Sequence, residues 1–168
     1  ARAPARRAGD GRFVPLERQD RALWRGDLVA DAEALLAAAT ALRAPGRFQI
    51  EAAIQSAHMQ GLRLGRVPWR DIVALHEALL SLAPSIGAEV AHAAALLEAE
   101  GPAPAWSQLS ALPADDVVTY QPYWVMAAEI LHRLGRTREA RAARSRALAL
   151  TEDPAVRVII LGGKGPHF

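Results

Sequence analysis

The sequence predicts an all-α protein built as an array of αα-hairpins, and three observations lead to that fold class. Hydrophobic residues make up 51% of the chain and aromatic residues only 5%, and alanine and leucine supply most of the apolar share, which favours helix over sheet. Apolar residues recur at helical spacing through most of the chain. Helical stretches come in pairs joined by tight turns that contain glycine, which is typical of stacked helix hairpins.

The hairpins repeat along the chain with a fixed period. Gly101 and Gly135 are 34 residues apart, and the same offset carries Leu97 onto Leu131, Ala94 onto Ala128 and Ala93 onto Ala127. A period of 34 residues is that of the tetratricopeptide repeat, a helix–turn–helix unit, and small residues such as alanine allow neighbouring helices to approach closely. We therefore expect a tetratricopeptide-repeat-like right-handed solenoid with an N-terminal capping helix.

The spacing of apolar residues and the positions of helix breakers predict where each element begins and ends. Residues 1–14 are rich in Ala, Arg, Gly and Pro, and we expect a flexible tail or linker there. Residues 15–152 form the predicted tetratricopeptide-like domain and residues 153–168 a C-terminal tail, with a frayed helical turn near 156–161. The helices predicted by period and breakers cover residues 15–44, 48–60, 69–83, 86–100, 104–112, 121–134 and 137–151.

The charge and composition of the chain argue against several classes of protein. The formal net charge is +2, with Lys164 as the sole lysine. The arginines are spread along the chain and gather only in a short basic segment at Arg2, Arg6, Arg7 and Arg12, so the sequence does not favour direct nucleic-acid contact. The chain has no cysteine, which excludes disulfides and thiolate chemistry. No apolar run reaches the length of a membrane span, and the N-terminus lacks a signal-peptide stretch. We expect a cytoplasmic protein that does not contact membranes.

No residue pattern predicts catalysis, a cofactor or a metal. The five histidines are scattered along the chain and form no helical metal-binding motif. Asp115-Asp116 lies in a predicted loop without a matching acid. The segment 162–165 has the glycines and lysine of a phosphate loop but lacks its Ser or Thr and its spacing. We expect the protein not to be an enzyme.

Several blocks of sequence are shared with a known family. They are PLERQDRALW at 15–24, PGRFQIEAAIQSAH at 45–58, Trp69 with residues 72–75, LAPS at 82–85, Gly101-Pro102, and residues 134–136 through ALALT at 147–151. Over about residues 5–158, the chain resembles the C-terminal extension of one group of extracytoplasmic-function RNA polymerase sigma factors. In that family the extension follows the promoter-reading helical domains and is thought to control them in place of a separate anti-sigma protein.

The resemblance implies a regulatory protein–protein interaction module that modulates transcription initiation in bacteria. Its expected partners are the promoter-binding domains of the sigma factor and core RNA polymerase. A free-standing tetratricopeptide-like adaptor that binds a peptide or partner protein is the alternative. We also expect a homodimer, for which the apolar segment 156–161 is a candidate contact.

The sequence departs from the family pattern at three places. Ala91-His92 stands where the family usually has Asn-Arg, and Ala128 stands where it usually has Arg. If those polar groups line a binding groove in the family, the groove of this chain is more apolar. Residues 158–168 also leave the family pattern, because a glycine-containing segment replaces a charged helix.

Polar residues beside a tryptophan form the first candidate binding surface. Glu17, Gln19, Asp20 and Arg21 lie near the start of a predicted helix, close to Trp24. The structural alternative is that Asp20 caps a helix or forms a local ion pair and that Arg21 covers the ring of Trp24.

Two further groups of candidates lie on later helices. Gln49, Glu51 and His58 have helical spacing on the second helix, where an ordinary solvated face is the alternative. In a tetratricopeptide array, the first helix of each repeat lines the concave surface. We expect Glu98 of one repeat and Val125, Glu129 and His132 of the next repeat to lie on that surface.

Overall fold

The computed structural model describes residues 2–11, 14, 18–152, 157 and 160, and every regular element among them is helical. The all-α fold class is therefore confirmed for this part of the chain. Two turns of 3-10 helix, Ala3–Ala5 and Arg21–Leu23, precede the α-helices. The α-helices are α1 Gly26–Ala41, α2 Arg47–Leu64, α3 Trp69–Leu82, α4 Ile86–Ala99, α5 Pro102–Ser110, α6 Ala114–Val117, α7 Gln121–Arg133 and α8 Thr137–Ala149.

The chain divides into two compact units, an N-terminal unit of residues 1–68 and a C-terminal unit that starts at Trp69. In the N-terminal unit, α1 packs against α2, and the two 3-10 turns contact each other. The turn at Ala3–Ala5 lies within the segment predicted as a flexible tail, and the side chain of Arg2 donates to Gln55 at 3.1 Å. The predicted domain boundaries stay a prediction.

The first long helix is shorter than its apolar spacing predicted. Instead of starting near Pro15, α1 starts at Gly26, because Asp20 caps a separate 3-10 turn and Trp24 and Arg25 then adopt extended backbone conformations. A helix cannot run through extended residues. Residues 15–17 of the predicted helix lie outside the described residues.

The second helix is longer than predicted because Gly61 continues it. A glycine inside a helical pattern commonly signals a break, but here α2 runs to Leu64 and ends at Gly65, whose φ of 74° is left-handed. Gly61 is buried, and a Cβ at this position would lie 2.5 Å from the Cα of Val67. The glycine therefore permits the chain to turn back closely over α2.

Replacing Gly61 with alanine is expected to destabilise the N-terminal unit by about 2 kcal/mol, as overpacking does. The methyl group would collide with backbone, which yields less readily than a side chain. Urea unfolding followed by circular dichroism measures the change, with Gly26→Ala as control because nothing lies within 4 Å of a Cβ there. Equal stabilities of the two variants would contradict the close packing of residue 67 on α2.

The C-terminal unit is a chain of packed helices in sequence order. α3 packs on α4, α4 on α5, and α7 on α4, α5 and α8. Each of α3, α4, α5 and α7 contributes one large, fully enclosed side chain to the core: Ile72, Val90, Leu109 and Ile130. α7 therefore lies at the centre of this unit.

The helix bounds of the C-terminal unit agree closely with the sequence prediction. α3 begins at Trp69 and ends before Pro84, and Ser85 caps α4 by accepting from the backbone N–H of Ala88 at 3.2 Å. One difference is α6, a single helical turn at Ala114–Val117, where a loop was expected. Most of the predicted C-terminal turn lies outside the described residues, although residues 157 and 160 are helical. None of the helices in the described ranges is long and apolar enough to cross a membrane.

Candidate binding surfaces

Most polar residues of the predicted cluster around Trp24 form hydrogen bonds with nearby backbone groups. Oδ1 of Asp20 accepts from the backbone N–H of Ala22 at 2.9 Å, and the buried side chain of Gln19 donates to the carbonyl of Val14 at 3.0 Å. Arg21 remains exposed and Trp24 half-buried. Glu17 lies outside the described residues. Asp20 therefore caps a helical turn, as the structural alternative expected, and Gln19 is held by a local hydrogen bond.

The candidates on α2 are also held within the N-terminal unit. Oε1 of Gln49 accepts from the backbone N–H of Gly46 at 2.5 Å and so caps the helix, as in a capping box. Glu51 pairs with Arg47 one turn earlier at 2.8 Å, and His58 is buried. The contacts of Gln49 and Glu51 stabilise α2, and both side chains lie at partly open positions.

In the C-terminal unit, three charged side chains join α4 to α7. Arg133 contacts Oε1 of Glu98 on α4 at 2.7 Å and Oε1 of Glu129 on its own helix at 2.8 Å. Burial lowers the pKa of Arg133, but its hydrogen bonds to Glu129 and Glu98 outweigh burial and raise the pKa above its ordinary value. Two carboxylates share one guanidinium, so this ion triad has one uncompensated negative charge. It lies where α4 and α7 meet, with the Glu98 side chain 22% exposed and that of Glu129 18% exposed.

The other two residues predicted for the concave surface, His132 and Val125, differ in exposure. His132, which precedes Arg133 in the sequence, is exposed. Val125 is not on an open surface, which corrects the sequence prediction: it is buried in a cluster with Ala147 of α8 and Ile160. Its helical position faces α8 and residue 160, and a valine there contributes to the core.

Two of the residues that depart from the family pattern lie in the core. His92 and Ala128 are buried in the described structure, so neither lines an open groove. The expectation of a more apolar groove stays a prediction for Ala91 alone, which is partly exposed. The ring of His92 lies 6.4 Å from that of His76, centroid to centroid.

Replacing His92 with leucine is expected to raise the free energy of unfolding by about 1 kcal/mol, since a buried polar group without a partner is costly. Neither ring nitrogen of His92 has a hydrogen-bond partner among the described residues. Denaturant unfolding measures the change, with the exposed His132→Leu as the matched control. A loss of stability in the His92 variant alone would show that its ring is satisfied by bound water.

A second arginine connects the turn before α8 to α5. Arg136 holds Glu139 through two hydrogen bonds of 2.7 and 2.5 Å, which raises the pKa of Arg136 and lowers that of Glu139. Its guanidinium also lies 5.0 Å from the ring centroid of Trp106, within the range of a cation–π contact. The described residues contain no group of three or more metal-ligating side chains.

The chain is similar to a protein family and to a bacterial protein. Residues 1–40 match a family of unknown function, DUF6596. The chain is 37% identical over 153 residues to an uncharacterized protein of Rhizobium meliloti (strain 1021), a match that covers 91% of the chain and 36% of that protein. The chain thus spans about a third of the length of this relative. No solved structure matches the chain.

Sequence reasoning missed the residues that organise the C-terminal surface. Arg133 and Arg136 were not singled out, although the four-residue spacing of Glu129 and Arg133 is a visible helical ion-pair signal. The contacts of Arg133 with Glu98 and of Arg136 with Trp106 join separate helices, and no local pattern in the sequence marks such pairs.

Proposed function

We propose that this chain is a regulatory interaction module of a bacterial extracytoplasmic-function sigma factor, acting in the cytoplasm. In this proposal it binds the promoter-binding domains of the sigma factor, with core RNA polymerase as a further partner, and so modulates transcription initiation. It performs no catalysis and needs no cofactor. The sequence blocks shared with sigma-factor extensions motivate the partner, and the repeated helix hairpins of the C-terminal unit support the role.

The observation that carries the proposal is the recurrence of one hairpin. α4–α5 and α7–α8 are each joined by a short turn that contains a glycine with positive φ, Gly101 and Gly135. Two of the three alanine and leucine pairs related by the 34-residue offset share their burial, Ala93 with Ala127 and Leu97 with Leu131. In the third pair Ala128 is buried and Ala94 is partly exposed.

The packing between the hairpins supports a tetratricopeptide-like solenoid. α7 contacts both helices of the preceding hairpin, α4 and α5, which is the relation expected when one repeat stacks on the next. Stacked repeats build an extended surface for another protein. In our proposal the ion triad is part of such a surface, because it joins the first helices of the two hairpins.

The size of the relative is compatible with this role. The matched region is 36% of the Rhizobium meliloti protein, which leaves room in that protein for further domains. In our proposal, those domains include the ones that the module controls.

The direct test is transcription in vitro with the full-length sigma factor that contains this region, core polymerase and a promoter recognised by that factor. We expect deletion of the region to change the transcription rate and the isolated region to bind the sigma domains in a pull-down. Unchanged transcription together with absent binding would overturn the proposal. Capture of an unrelated peptide alone would instead point to a free-standing adaptor.

A point variant tests the surface itself. Replacing both Glu98 and Glu129 with glutamine keeps their shape but removes the acidic charge, and we expect the affinity for the sigma domains to fall about tenfold, the effect of one strong contact. Glu77→Gln on the exposed side of α3 is the control. If both proteins bind equally well, the ion triad is not part of the interface.

A further inference from the structure

One side of α1 is apolar and open. Leu28, Leu35 and Leu42 follow each other at seven-residue intervals, with exposed fractions of 41%, 72% and 76%, and no residue of α1 is buried. Residues seven apart lie nearly above each other on a helix, so the three leucines form a ridge about 21 Å long. The half-buried side of the helix, at Val29 and Leu36, is a different face.

Negative charge accompanies this leucine ridge. The helix contains Asp27, Asp31 and Glu33 and no basic residue. Asp27 is paired with Arg25, whereas Asp31 is exposed and has no partner among the described residues. Asp31 lies between Leu28 and Leu35 at helical spacings of three and four, so its carboxylate flanks the ridge.

α8 in the C-terminal unit has the complementary features. Its buried side consists of Ala140, Ala143 and Ala147. The opposite side has the small exposed residues Ala142, Ser145 and Ala149, with Arg138 at its N-terminal end. Ala142 and Ala149 are also seven residues apart, so this small-residue groove has the spacing of two leucines of the ridge.

Arginines border the small-residue groove. Arg138 and Arg141 are exposed and make no ion pair among the described residues. Arg146 on the other border donates to the carbonyl of Val118 at 3.0 Å. Arginine forks match carboxylates geometrically, so the groove suits an apolar ridge that has an acidic flank.

We propose that the chain self-associates head to tail, with the leucine ridge of one copy packed into the small-residue groove of a second copy. This interaction goes beyond the proposed function. Charge decides between the two ways in which a second copy could cover the ridge: pairing α1 with α1 would bring two acidic helices together, whereas α8 has the opposite sign. The contact is small, so the association is weak, and it weakens further in salt because exposed charges are screened.

A head-to-tail contact makes a specific prediction, because each copy has one ridge and one groove. The ridge variant Leu35→Asp retains an intact groove, and the groove variant with Arg138→Glu and Arg141→Glu retains an intact ridge. We expect each variant alone to be monomeric. Mixed together, the two variants form one functional contact and therefore a one-to-one complex that cannot grow.

Sedimentation over a concentration series tests the proposal with the full chain. The average mass of the unmodified protein is expected to rise with concentration and to rise less at high salt, and each variant is expected to weaken association at least about tenfold. Leu82→Asp, at a leucine of α3 with 53% exposure, and the double variant Arg63→Glu, Arg66→Glu serve as matched controls that should associate normally. Circular dichroism verifies that all variants are folded.

Three results would overturn the proposal. One is an unmodified protein that stays monomeric at every concentration. Another is loss of association in the ridge variant but not in the groove variant, which would indicate α1–α1 pairing. The third is failure of the mixed variants to form the one-to-one complex.

Discussion

Replacing Ile130 with alanine is expected to lower the free energy of unfolding of the C-terminal unit by about 4 kcal/mol, within the range for large-to-small core substitutions. Ile130 has no exposed surface and lies on α7, the helix that packs on α4, α5 and α8. The cavity would therefore be lined by several helices that cannot all relax into it. Urea unfolding followed by circular dichroism and tryptophan fluorescence measures the loss.

A leucine at the surface supplies the comparison for Ile130. Leu82→Ala removes a side chain of the same size that is 53% exposed at the end of α3, and surface substitutions usually change stability by less than about 0.5 kcal/mol. If the two variants unfold at the same denaturant concentration, α7 is not the centre of the core. The same measurement shows whether the two units unfold in one transition or in two.

The sequence was most informative where an apolar stripe ends at a strong breaker. α3 lies between Pro68 and Pro84, and the turn after α7 contains Gly135, so spacing and breakers together define these helices. The region before α1 lacks such a signal. Leu16, Leu23 and Leu28 keep helical spacing, but the cap at Asp20 and the extended Trp24 interrupt the helix, and side-chain capping competes with apolar spacing.

The candidate site was less predictable than the fold, because charged residues form local contacts that spacing alone does not reveal. Gln49 and Asp20 were candidates for partner binding, and both accept hydrogen bonds from nearby backbone N–H groups. Val125 has concave-surface spacing but is buried, since residue 160 packs against it. That packing depends on the path of the chain beyond α8, which helical periodicity does not describe.

A buried alanine on α5 gives the second large effect. Ala105→Leu is expected to destabilise the C-terminal unit by about 3 kcal/mol, at the upper end of the cost of overpacking. Ala105 has no exposed surface, and its helix, α5, packs on both α4 and α7. A leucine at this position would push α5 away from the helices that pack against it.

Ala103 provides a matched control for Ala105 on the same helix, because it is exposed and an added leucine there meets solvent. Since alanine and leucine differ little in helix propensity, Ala103→Leu should leave the unfolding midpoint nearly unchanged. A much lower unfolding midpoint for Ala105→Leu than for Ala103→Leu would show that α5 packs closely against its neighbours at Ala105. Equal stability of both variants would mean that α5 has space for a larger side chain against its neighbours at residue 105.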